Sequence, residues 1–168
     1  MSIWNIIEKK FGKSEKKLKV VKTFIKYGFS IKNGKIFCDK IKIPYMSIAN
    51  ACGVDRRTVK EVVKIISENS ILKEFFEKIE PAGPFLKNVS RFLGYRCIIV
   101  EPFRDEPGII ASVSSVIASK NINIVQIIAE DPYLYENPKL YIIVEGKFPG
   151  EMINEIINLK NIRQVTTL

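Results

Sequence analysis

The stretch Tyr45 to Ile66 carries one apolar spacing twice, broken by a single glycine. Tyr45, Ile48, Ala49 and Cys52 recur at i, i+3, i+4 and i+7, which is one face of a helix. Gly53 ends that helix, because a left-handed cap costs glycine little. Asp55 is placed to cap a second helix with its carboxylate. In that helix Val59, Val62, Val63 and Ile66 repeat the spacing, and Arg57, Lys60, Glu61 and Lys64 fall on the opposite face. Ala49 is small where two crossing helices meet, and Val54 is apolar inside the turn. The pattern is that of a helix-turn-helix, whose second helix enters the major groove by its N-terminal end. The residues expected to meet DNA are Arg56, Arg57, Thr58, Lys60, Glu61 and Lys64. The blander alternative is a helical hairpin with a solvated charged face. Three features together favour DNA: the small residue four before the glycine, the apolar residue six after it, and the paired arginines opening the second helix.

Charge divides the chain. Residues 1–95 hold 20 lysines and arginines against 9 acidic residues, whereas residues 96–168 hold 7 against 9. The first part suits a polyanion, and the second suits a small ligand or another protein. Hydrophobic residues make up 46% of the 168, enough for a packed core. Three scattered cysteines (Cys38, Cys52 and Cys97) form neither a disulfide framework nor a zinc motif, and they fit a reducing cytoplasm. Without histidine there is no His-based triad, general base or metal ligand. No apolar run is long enough for a signal peptide or a membrane span. No catalytic, metal or cofactor site is expected.

Short amphipathic helices are expected over residues 3–11, closed by Gly12, and from the Ser14 cap to Gly28. Asn33-Gly34 between Ile31 and Ile36 predicts a β-hairpin, which Pro44 terminates. Two further helices are expected, one capped by Ser70 and one carrying Phe85, Leu86, Val89, Phe92 and Leu93, with Pro81-Ala82-Gly83-Pro84 as a turn between them. From Tyr95 the period becomes that of strands, and the order reads βαββαβ, a ferredoxin-like arrangement. Pro107-Gly108 and Pro149 open its two helices. The fold class is therefore α+β. Residues 1–68 form a mostly helical helix-turn-helix domain with a small β-hairpin, 69–94 a helical linker, and 95–168 the ferredoxin-like domain.

Asp105-Glu106-Pro107-Gly108 after the first of these strands, and Ile122-Asn123-Ile124 opening the second, resemble an ACT domain. With Val54-Asp55-Arg56-Arg57, Pro81-Ala82-Gly83-Pro84, Glu130-Asp131-Pro132 and Pro138-Lys139-Leu140, nearly the whole chain resembles an archaeal family. These are the predicted regulators of amino-acid metabolism that join a helix-turn-helix to an ACT domain. The resemblance implies an amino-acid sensor in which the position matching Asp105 and the asparagine matching Asn123 hold the ligand's polar groups. Asn123 commonly does so from the facing subunit. The physics of the turn agrees: the Gly108 and Ile109 amides at a helix start favour a carboxylate. The expected ligand site comprises Asp105, Glu106, Pro107, Gly108, Ile109, Asn123 and Ile124.

The expectation is a cytoplasmic transcriptional regulator, homodimeric through its ACT domain, with double-stranded DNA and an amino-acid effector as partners. The rival is a regulatory subunit that binds a biosynthetic enzyme through the ACT domain without touching DNA. An enzyme is not expected: Glu101, Asp105 and Glu106 lie close in sequence but lack an acid–base partner set.

Overall fold

The computed structural model describes residues 2–168. These form an α+β protein with seven α-helices and two antiparallel sheets. The chain divides into two compact units, one ending at Gly83 and the other running Pro84–Leu168.

The first unit opens with α1 (Ile3–Phe11) and α2 (Glu15–Tyr27), capped by the hydroxyls of Ser2 and Ser14. Gly28 stops α2 at φ 65°, and a Cβ there would stand 2.4 Å from the Glu80 carbonyl oxygen. Both backbone handedness and close approach therefore require glycine at this point. Three short strands follow: β1 (Ser30–Lys32), β2 (Lys35–Cys38) and β3 (Ile41–Ile43). Asn33 and Gly34 both take positive φ between β1 and β2, as the two-residue turn demands. A second turn at Asp39, also at positive φ, adds β3, so the expected hairpin is a three-stranded meander. Then come α3 (Tyr45–Cys52), α4 (Arg56–Glu68) and α5 (Ser70–Lys78).

One core joins these elements. It takes Ile6, Ile7 and Phe11 from α1, Val20, Val21 and Phe24 from α2, and Ile31 and Ile36 from the sheet. Ile48, Ala49 and Cys52 of α3 complete it with the α4 stripe and with Leu72 and Phe76 of α5. Helix α5 is thus core and not linker. Phe76 is wholly buried, edge-on to Phe24 at 6.2 Å between ring centroids. Its cap is Asn69 and not Ser70, since the Asn69 Oδ1 accepts the Leu72 N–H at 3.0 Å.

The second unit begins with a segment that sequence periodicity marks as helical. It contains only a 3₁₀ turn at Ser90–Leu93. The side chain of Gln126 explains the difference. Its Oε1 accepts the Leu86 N–H at 3.1 Å and its Nε2 donates to the Pro84 carbonyl at 2.8 Å. The start of the segment is thereby tied to β5, with the Pro84 carbonyl that would accept the first helical bond already taken. The unit continues as β4 (Tyr95–Pro102), α6 (Ile109–Ser119), β5 (Ile124–Ala129), β6 (Leu140–Glu145), α7 (Gly150–Ile157) and β7 (Ile162–Thr167). The sheet order is β5-β6-β4-β7, antiparallel throughout. Alternation divides its residues cleanly. Ile98, Val100, Leu140, Ile142 and Val144 face α6 and α7. Cys97, Ile99, Tyr141 and Ile143 face the other way, where Leu86 and Phe85 pack on them.

Phe76→Ala measures how far α5 belongs to the first unit. Emptying a fully buried phenylalanine site should cost about 3–5 kcal/mol. Urea denaturation of the full chain checks this, and a loss below about 1 kcal/mol would return α5 to the role of a linker.

Candidate DNA-binding surface and candidate ligand pocket

The α3–α4 turn follows from two local preferences. Gly53 sits at φ 64°, and its N–H and that of Val54 close the last turn of α3 on the carbonyls of Asn50 and Ala49. Val54 folds back on the core. Asp55 occupies the N-cap of α4 with extended backbone, but its carboxylate accepts no capping hydrogen bond. The cap is backbone geometry alone, and the first-turn amides of α4 have no carboxylate from Asp55 upon them.

Burial of Val59, Val62, Val63 and Ile66 turns Arg56, Arg57, Lys60 and Lys64 outward, with Thr58 half-buried beside them. Arg57 is 89% exposed, and its Nε lies 3.1 Å from Glu61 Oε1. The other Glu61 oxygen takes the Lys17 ammonium of α2 at 3.0 Å. The Lys17 hydrogen bond, reinforced by Arg57, holds the Glu61 carboxyl below the ordinary carboxylate range. Glu61 thus braces α4 against α2 and aims Arg57. Lys64 pairs with Glu68 at 3.7 Å. Arg56 and Lys60 form no ion pair among the described residues.

The second unit contains a cavity of about 480 Å³ between the start of α6 and the β5–β6 connection. Asp105, Glu106, Pro107, Gly108 and Ile109 all line it. The loop that carries them is anchored at its base: the Phe103 N–H donates to the Asn161 carbonyl at 2.9 Å, and Asn161 Nδ2 donates to the Arg104 carbonyl at 2.7 Å. Gly108 takes φ 96° at the N-cap of α6, with open space where a Cβ would stand. Glycine is required there by handedness and not by bulk. The first amides of α6 have no intrahelical acceptor. Ile110, Ala129 and Leu140 add apolar wall.

Asn123 and Ile124 are not in this cavity. Ala129 ends β5 beside it, whereas Asn123 precedes the other end of the strand, roughly 20 Å away at strand rise. Ile124 packs into the core beneath the helices. Among the walls that sequence reasoning missed are Ala129, Glu130, Pro138, Lys139 and Leu140. The prolines bounding 130–138 were the available signal, since they fix where that connection leaves and rejoins the sheet.

Glu101, grouped by sequence with Asp105 and Glu106, has a different environment. Its carboxylate is clasped by the Lys139 ammonium on one oxygen and by Arg163 Nη2 at 2.7 Å on the other. These hydrogen bonds, Lys139 first, hold its carboxyl below the ordinary range. Lys139 lines the cavity with its ammonium engaged by Glu101, while Asp105 and Glu106 border it and form no ion pair among the described residues.

No protein-family model matches the chain, and no curated protein matches it. Among solved structures it is similar to a homoserine dehydrogenase from Thiobacillus denitrificans, at 14% identity and TM-score 0.36 over 68% of this chain. The chain spans only 28% of that dehydrogenase. It is also similar to an AsnC-family transcriptional regulatory protein from Pyrococcus furiosus, at 10% identity and TM-score 0.28 over 75% of this chain and 77% of the other. A third similarity is to an AsnC-family transcriptional regulator from Agrobacterium tumefaciens, at 10% identity and TM-score 0.28 over 92% and 88%. Likenesses this distant assign the chain neither a family nor an activity.

The Glu101 clasp has a pH signature. A carboxyl whose folded pKa is depressed binds fewer protons folded than unfolded, so its contribution is present above the ordinary glutamate range. That contribution is lost as pH falls through the depressed value. Wild-type stability should therefore decline on acidification below about pH 5, and Glu101→Gln should flatten the decline. Denaturant midpoints measured across acidic pH decide it, and parallel curves for the two proteins would remove the assignment.

Proposed function

We propose that the protein is a DNA-binding transcriptional regulator of amino-acid metabolism, not an enzyme, and that it senses an amino acid through its second unit. The observation that carries this is the first turn of α4. A fully buried stripe presents Arg56, Arg57 and Lys60 to solvent at the end of the helix that a helix-turn-helix inserts into the major groove.

The second unit is proposed to be an ACT-type ferredoxin-like domain, supported by its βαββαβ order and by the cavity at the start of α6. A ligand carboxylate would lie on the Gly108 and Ile109 amides, its ammonium near Asp105, and its side chain against Ile110 and Leu140. Dimerisation is proposed through β5, an edge strand with Val125 and Ile127 more than a third exposed. Antiparallel pairing of two such strands about Gln126–Ile127 sets position 123 of one copy opposite position 130 of the other. Asn123 of the partner subunit would then complete the cavity that its own chain's Asn123 does not reach. A ligand alters DNA affinity only if it prefers one arrangement of the dimer, and a coupling of about 1–3 kcal/mol changes that affinity roughly 5- to 150-fold. The cytoplasm is the proposed compartment.

Two measurements test the proposal. Duplex binding should weaken steeply with salt, by about 0.9 log units per log unit for each phosphate neutralised, and Arg57→Ala and Lys60→Ala should both weaken it without unfolding the chain. Unchanged affinity in both variants would remove α4 as the reading helix. Calorimetry against the twenty amino acids should give heat with at least one, and Asp105→Ala should weaken that binding roughly 10- to 150-fold, the loss of a charge-assisted hydrogen bond worth about 1.5–3 kcal/mol. Silence from every amino acid would leave the second unit as an association module.

A further inference from the structure

Beside the start of α4 lies a groove of about 730 Å³ that the helix-turn-helix itself does not account for. It runs between the Gly34 turn of the meander, the end of β3 and the first residues of α3 and α4. Three cations line it, Lys35 on β2, Lys42 on β3 and Arg56 on α4, and no carboxylate does. None of the three forms an ion pair among the described residues. The remaining lining is apolar, chiefly Ile43, Tyr45 and Met46.

We propose that this groove seats the sugar–phosphate backbone of the duplex beside the segment that α4 reads, with Lys35, Lys42 and Arg56 on successive phosphates. This rests on the DNA-binding reading above and extends the contact surface to the meander, which precedes the helix-turn-helix in the chain. The lining matches that polymer: cations for phosphates and apolar side chains for deoxyribose faces. Continuity is supplied by Arg56, which belongs both to the groove and to the exposed start of α4. The groove wall is also fixed in place. The Tyr45 hydroxyl donates to the Gly34 carbonyl at 2.5 Å, tying the turn to α3. Arg56 is close enough to Tyr45 to counter part of the upward push that burial gives the phenol.

The lysines sit there at a cost. Lys32 and Lys35 are directly opposed across the β1–β2 pair, a like-charge arrangement that disfavours the sheet. Neither lysine forms an ion pair among the described residues, so an anion seated in the groove at Lys35 would offset the repulsion.

The test uses the full chain, a mixed-sequence duplex and a salt titration followed by fluorescence anisotropy. Lys35→Gln/Lys42→Gln should lower the log–log salt slope by about 1.8, two phosphates' worth, while unfolding at the same denaturant concentration as wild type or a higher one. Lys147→Gln/Lys160→Gln, which removes the same charge from the second unit, should leave the slope unchanged. A slope unaltered in the groove variant, or lowered equally in the control, overturns the proposal while leaving α4 as the reader. A wild-type chain that binds no duplex at any salt fails the DNA-binding reading itself, and the groove assignment with it.

Discussion

Burial of one stripe, Val59, Val62, Val63 and Ile66, governs the first unit. A helix with one fully buried face has a fixed rotation about its axis, so everything on the other face is fixed in direction as well. Arg57 and Lys60 point outward because the valines cannot. The ion pair from Lys17 to Glu61 then sets the remaining freedom, since it joins α4 to α2 at the same level as Arg57. An exposed pair of this kind adds little stability. Its effect is orientation, because one carboxylate is shared by a brace and by a side chain that reaches into solvent.

The second unit solves a different problem, a sheet with two apolar faces. Helices α6 and α7 cover one, and the residues after Pro84 cover part of the other. Phe85 meets Tyr141 edge-on at 4.9 Å, and Lys87 lies 5.0 Å from the same ring. Gln126 holds this cover by taking up its backbone groups. Gln126 directly follows the irregular register at the start of β5, which turns its side chain to the covered face. The cover ends raggedly: Phe92 is 90% exposed at the close of the 3₁₀ turn. The cavity lies between the start of α6 and the β5–β6 connection, with Leu140 of the helix-covered face in its wall.

Where local chemistry alone decides the structure, the sequence is legible. Asn33-Gly34, Gly53 and Pro107-Gly108 each demand a particular backbone, and each adopts it. The valine stripe and the strands from Tyr95 onward follow from periodicity. Several of the misreadings come from a distant partner that periodicity does not see. The 85–93 segment has helical spacing, but a glutamine forty residues away claims its backbone. Helix α5 is expected as part of a linker, yet Phe24 and the rest of the core receive its apolar face. Glu101 is close in sequence to Asp105 and Glu106, but Lys139 of the β5–β6 connection and Arg163 of β7 reach it. Asn123 is close to the cavity in motif and far from it in space, because one strand's length separates them within a single chain.

The distribution of cations in the first unit works against its own stability at specific places. Arg56 and Arg57 open α4 at the positive end of the helix dipole, and no acidic residue lies in that first turn. Each unfavourable charge there costs on the order of 0.3–1 kcal/mol at low salt. Lys32 faces Lys35 across two strands. Asp55, the one carboxylate placed to relieve the helix start, makes no capping bond. A fold shaped only by its stability would exchange several of these residues for neutral ones at no loss of packing, since all are exposed. Their arrangement suits the polyanion proposed above, which would meet the meander and the start of α4 together.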